Sequence, residues 1–303
     1  MLRRAAAAYV AGSQIDDALL ACQTLREGGR AGTVGYWNSR SEGPEQVAHA
    51  YLAAAEALAR NAPDMCLAIK ATALGFSPEL VAELLGRTGP SGVRVHFDSL
   101  APDFADRTLD LIRDAASRQP GVGVTLPSRW RRSLRDADTA VELGLPVRVV
   151  KGRWADRASE EVDMRAGFLA VVDRLAGRAT RVAVATHDEE LARAALRRLL
   201  AADTPCELEL LLGLPAGPVA DAADELCAPV RVYVPYGDAT LPYRLQDALR
   251  DIRILGWLAQ DLIQGRHKGW RELPERLGPD ALRLRLASEK SATRSSGSRH
   301  ARV

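Results

Sequence analysis

Cysteine is sparse in this chain, aromatics are few, neither charge dominates and no long apolar run occurs; each shortage removes a class of protein. Cys22, Cys66, Cys206 and Cys227 are scattered through 303 residues with no CxxC spacing, so a disulfide framework or a zinc site lacks its ligands. With no secretory leader at the N-terminus, the expectation is a reduced, cytoplasmic protein without a bound metal. Lys and Arg number 41 against 39 Asp and Glu, a net charge of +2, which gives no cationic field for a nucleic acid. No apolar stretch approaches the roughly 20 residues that cross a bilayer. The chain is therefore not expected to be integral to a membrane, although peripheral contact stays open. What is present, 47% hydrophobic and 26% charged residues, is the composition of a globular protein working on small molecules.

Short β-type runs recur at 31–37, 66–70, 93–98, 122–126, 147–151, 182–186, 207–213 and 232–236. Between them lie stretches rich in Ala, Leu and Arg with helical spacing, at 44–60, 78–86, 104–117, 134–143, 159–175 and 189–201. Strand and helix alternating eight times, with no Gly-rich dinucleotide turn, predict an α/β fold of the (β/α)8 barrel kind. A helix over 13–28, with Ser13 as N-cap and Gly28-Gly29 as its end, precedes the barrel and is expected to cover its lower mouth. Residues 1–30 thus read as an N-terminal helical segment, 31–263 as the barrel, and 264–303 as an extension. Its last residues, 288–303, are rich in Ser and Arg and read as a disordered tail.

In such barrels chemistry gathers at the carboxyl ends of the strands, and here those ends are polar. Lys70, Asp98, Arg148, Lys151, Gly152, Thr186, His187, Tyr233 and Tyr236 all fall there. After the eighth strand, 242–263 reads as a final helix over the site, with Tyr243, Gln246, Asp247 and Arg250 on one face.

Several of these pieces together resemble the proline dehydrogenase family. They are Arg231-Val-Tyr-Val-Pro-Tyr-Gly237, Pro242-Tyr243, Val147-Arg-Val-Val-Lys-Gly152, Ala185-Thr-His-Asp188 and Ile69-Lys-Ala-Thr-Ala-Leu-Gly75, with Asp98 at the end of strand three. The resemblance runs over roughly residues 5–263 and implies an FAD-dependent barrel that oxidises the C–N bond of a small amine to an imine by hydride transfer to flavin N5. It further implies that Arg148, Val150, Lys151, Gly152, Trp154, Thr186 and His187 hold FAD, and that Lys70, Asp98, Tyr233 and Tyr243 surround the substrate. A quinone is the electron acceptor that the resemblance offers.

The substrate side departs from the family pattern. Two consecutive arginines that grip a carboxylate are here Gln246 and Asp247, a glutamate on the same helix is Arg250, an alanine after Lys-Gly is Arg153, and a glutamine is Glu209. Asp247 repels a carboxylate, which works against proline itself as substrate. Two readings stay open. Lys70 with Arg153, Arg129 or Arg244 supplies a relocated carboxylate grip for a small proline-like amino acid, or Asp247 and Glu209 recognise a cationic or polar group on a different amine or hydrazine. A catalytically inert flavin- or ligand-binding homologue that acts on a partner is the alternative from another functional class.

Overall fold

A computed structural model of the chain describes residues 10–62, 65–156, 162–214 and 216–238. Eight strands, β1 (Ala31–Trp37), β2 (Cys66–Ile69), β3 (Arg94–Phe97), β4 (Gly123–Pro127), β5 (Val147–Val150), β6 (Val182–Ala185), β7 (Cys206–Leu211) and β8 (Val230–Gly237), form a closed barrel in sequence order. Every neighbouring pair is parallel. The ring closes where β8 returns to β1, with Ala31 opposite Arg231 and Trp37 opposite Gly237. The protein is a (β/α)8 barrel.

The described helices are α1 (Ile15–Glu27), α2 (Pro44–Asn61), α3 (Pro78–Thr88), α4 (Ala105–Arg118), α5 (Ser133–Glu142), α6 (Met164–Leu175), α7 (Glu189–Ala201) and α8 (Gly217–Glu225). Side-chain caps fix three of their starts. Ser77, Asp163 and Asp188 accept the backbone N–H of Leu80, Ala166 and Leu191, each satisfying a donor that has no partner within its helix.

Strand side chains alternate between the two faces of the barrel wall. One set, including Val34, Leu67, Phe97, Val149, Val184 and Val232, is buried against the helices in a continuous apolar layer. The other set faces the barrel axis and is dominated by polar and charged groups: Thr33, His96, Thr125, Arg148, Glu207, Glu209 and Arg231 are all buried there.

The first helix differs from expectation. It packs on the outer wall against β8 and β1, beside α2, and does not cover the lower mouth. Ala11 N–H donates to the Pro235 carbonyl and Gly237 N–H to the Gly12 carbonyl, while Arg30, just past the helix, forms a two-point ion pair with Asp224 of α8. It therefore fills the place in the helical ring between α8 and α2. Its N-cap is Gln14, not Ser13, because Asp17 reaches back to accept the Gln14 N–H at 3.0 Å. Helix α8 is not among the helical stretches named from the sequence, although eight alternations of strand and helix call for one between β7 and β8. The expected final helix over the site and the 264–303 extension lie outside the described residues.

Candidate active site

The charged residues at the strand ends interlock. Arg148 projects inward from β5 and is 5% exposed. Its Nε and Nη2 donate to the two oxygens of Glu209 on β7, the latter at 2.8 Å, and its Nη1 donates to Asp98 Oδ1 at 2.8 Å. Asp98, just beyond β3, accepts the Tyr233 hydroxyl at 2.7 Å on its other oxygen. Thr33 donates to Glu209 Oε1 at 2.8 Å. Each buried charge thus has a partner of opposite sign and further hydrogen bonds, the condition under which such charges are tolerated.

Protonation follows from this geometry. Burial opposes ionisation of Glu209, but Arg148, with help from Arg231 and the Thr33 hydroxyl, more than offsets it and holds the carboxyl below its usual range. Burial likewise opposes the charge on Arg148, and Glu209 and Asp98 more than offset it, so the guanidinium proton is bound more tightly than usual. Burial, followed by the charge of Asp98, pushes the Tyr233 phenol well up, so it remains a hydrogen-bond donor.

Tyr233 reaches Asp98 across β1 because Gly35 leaves room: a Cβ on Gly35 lies 2.1 Å from the Tyr233 hydroxyl oxygen. Lys70 stands beside this group. Its Nζ donates to the Tyr36 carbonyl at 2.6 Å and its backbone N–H to the Tyr51 hydroxyl. Burial lowers the Lys70 pKa, with Asp98 opposing that shift. Tyr36 packs edge-on to Tyr51 and against Tyr236, and burial together with its bond to Glu42 pushes its phenol up to about 12. Thr33, Tyr36 and Tyr51 were not singled out in the sequence, yet Thr33 carried the available signal, a polar residue on the same face of β1 as Gly35.

The β5–β6 rim is built differently. Lys151 is 39% exposed in its side chain and lies 3.8 Å from Asp188. Gly152 has φ +86°, a conformation that favours glycine, and a Cβ there lies 2.6 Å from Pro127 Cβ. The segment after β4 pins this loop: Arg129 donates to the Gly152 and Arg153 carbonyls and the Trp130 indole to the Trp154 carbonyl. Trp154 is exposed, with the Arg153 guanidinium 5.3 Å over its ring. Val150 ends β5 half-buried. Thr186 is buried and accepts the Asp188 N–H, and His187 Nε2 accepts the Leu211 N–H at 2.9 Å, which leaves the proton of a neutral ring on Nδ1.

Of the residues named from the sequence, Asp98, Arg148, Glu209 and Tyr233 come together in one network with Lys70 beside it, while Lys151, Gly152, Trp154, Thr186 and His187 line the adjoining rim. Arg148 and Glu209 were expected to face different ligands, a cofactor and a substrate. They hold each other instead, because β5 and β7 bring their inward side chains face to face. Arg153, expected at the substrate, lies over Trp154. Tyr243, Gln246, Asp247 and Arg250 are outside the described residues.

No family model matches the sequence, and no curated protein does. Solved structures do match. The chain is similar to proline utilization A (PutA) from Bdellovibrio bacteriovorus inactivated by N-propargylglycine, with a TM-score of 0.65 and 19% identity, covering 94% of this chain and 34% of that one. PutA from Corynebacterium freiburgense gives a TM-score of 0.64 at 16% identity, over 90% and 32%, and a mutant PutA from Bradyrhizobium japonicum gives 0.61 at 19%, over 90% and 33%. The chain spans about a third of the length of these proteins. Its class is thus a (β/α)8 barrel with a charged interior, and its fold is similar to one found within PutA.

Proposed function

We propose that the chain is an FAD-dependent dehydrogenase that oxidises a C–N bond of a small proline-like amino acid, amine or hydrazine to an imine. The observation that carries this reading is the Lys70, Asp98, Tyr233 and Arg148 group at the carboxyl ends of the strands, on a fold similar to one found in proteins named for proline use. Strand ends are where chemistry sits in this architecture.

The donor set at the rim suits a dinucleotide. Lys151 offers a cation that is partly exposed and only loosely paired, and it would face the pyrophosphate. The Lys151-Gly152 turn is held by Arg129 and Trp130, and Thr186 and His187 add polar groups just past the end of the next strand. A bound flavin would supply the two-electron acceptor for a C–H bond next to nitrogen. Tyr233, kept protonated on Asp98, orients what lies above it and removes no proton. Lys70 and Asp98 fix the orientation of the bound substrate.

The test is a visible spectrum of the purified full chain, followed by anaerobic addition of a panel of cyclic and acyclic secondary amines. A yellow protein bleached by one of them is the expected result. A folded, colourless protein that also fails to take up added FAD overturns the reading.

A further inference from the structure

The opposite end of the barrel interior, at the amino ends of the strands, holds a second charged group that the candidate active site does not use. Arg94 begins β3, Arg181 directly precedes β6, and Glu207 and Arg231 lie near the starts of β7 and β8. All four line a cavity of about 30 Å³, which Arg148 and Glu209 close toward the active site. The lining carries four guanidinium groups against two carboxylates. One positive charge is left over even when Asp98, which also pairs with Arg148, is counted. His96 and Cys66 line the cavity as well and supply no compensating charge, since burial keeps the ring neutral and the thiol protonated.

These cations are incompletely paired. Arg231 is 5% exposed; its Nε donates to Glu207 Oε1 at 2.9 Å and its Nη1 to the Gly32 carbonyl at 2.6 Å, while Nη2 has no partner among the described residues. Arg181 stands 4.0 Å from Glu207, beyond hydrogen-bond reach. The Arg94 side chain makes no hydrogen bond or ion pair among the described residues. Donors of this kind at the edge of a closed space are costly until an acceptor meets them. Size limits the acceptor. A water needs about 10–15 Å³, so the cavity takes about two waters or one monatomic ion and is too small for a phosphate.

From this we infer that the amino-terminal mouth of the barrel binds a small monovalent anion of chloride size, held by Arg94, Arg181 and the remaining Nη2 of Arg231. The site lies across the Arg148–Glu209 pair from the candidate active site and does not rest on the function proposed above. The anion neutralises the surplus charge, and it stabilises the folded chain because the cavity exists only once the strands have closed.

The experiment is a titration of the full chain with sodium chloride at constant ionic strength, sodium gluconate making up the balance, read by chloride NMR line broadening and by the melting temperature. A saturable broadening that bromide displaces, with a parallel rise in melting temperature, is expected. Arg94→Gln is expected to weaken chloride binding about tenfold, the scale of one charge at contact distance in a partly buried site. Arg113→Gln, on the exposed side of α4, is expected to leave it unchanged. Should Arg94→Gln fail to fold, Arg181→Gln takes its place; that side chain is 41% exposed at the mouth of the cavity, and its loss is expected to act in the same direction. No saturable broadening, a melting temperature that does not follow it, an affinity unmoved by the cavity substitution, or an equal loss in Arg113→Gln overturns the inference, the last because it would mean general attraction to surface arginines.

Discussion

The two faces of the same eight strands obey different rules. Outward, toward the helices, Val34, Leu67, Phe97, Val149 and Val184 fill space with aliphatic and aromatic groups. Inward, where barrels of this kind are usually packed with branched aliphatic residues, the chain places Arg148 against Glu209 and Asp98, and Arg231 against Glu207. Outside, volume and shape determine the cost of a change. Inside, pairing does, because a buried charge is tolerable only beside its partner. The outer face makes the fold stable, and the inner face commits it to a particular electrostatic arrangement.

The sharpest way to break this contrast is to compare one substitution on each face. Arg148→Met leaves Glu209 and Asp98 buried without their cation and is expected to cost about 3–5 kcal/mol at neutral pH. Burial then pushes the Glu209 carboxyl up once its main opposing charge is gone, so the deficit shrinks as pH falls and Glu209 takes up a proton. Leu67→Ala on the outer face is expected to cost about 2–5 kcal/mol through lost burial and a cavity, by the same amount at every pH. Chemical denaturation of both variants between neutral and mildly acid pH reads the difference, and an Arg148→Met deficit that ignores pH erases the distinction between the faces.

A smaller effect sharpens the comparison. Burial first, then the charges of Arg148, Arg231 and Arg94, hold the His96 pKa well below its usual value, so the folded ring is neutral. The unfolded ring protonates near pH 6.5. The folded pKa is the lower of the two, so the stability is fully present above about 6.5 and is lost as pH falls toward the folded value, by about 1.4 kcal/mol per pH unit. His96→Gln is expected to flatten that part of a melting-temperature profile, and an unchanged slope would mean that the inner face does not sense pH through this residue. Smallest of all is Asp188→Ala at the outer end of α7. It removes the cap on the Leu191 N–H and is expected to cost about 1 kcal/mol in thermal denaturation; a cost several times larger would place Asp188 inside the network.

How far the sequence can be read follows the same division. The outer face was legible because its signal is local. Val147-Arg148-Val149 and Val230-Arg231-Val232 alternate within single strands, and each strand emerged within a few residues of its expected place. The pairings inside were not legible. Arg148 and Glu209 are 61 residues apart and meet only because the barrel closes, so each was read alone and given a separate ligand. A period-two signal was nevertheless available in Glu207-Leu208-Glu209 and Arg231-Val232-Tyr233, which place two polar groups on the same inward face of β7 and of β8. The first helix was recognised but misplaced, since nothing in its own residues says that β8, at the far end of the barrel, is its neighbour.

That placement of α1 has a consequence for the order in which the molecule comes together. Helix α1 is made before any strand, whereas β8, against which it lies, is made after the other seven. The Arg231 side chain, bonded to the Gly32 carbonyl, joins residues 199 positions apart. Such long-range closure is slow, because the loop must be formed before its contacts reward it. The apolar side of α1, with Ala18, Ala21 and Leu25, therefore waits for its final berth until the other seven strands have been made, and ring closure at the β8–β1 seam is the step at which assembly is most exposed to going astray.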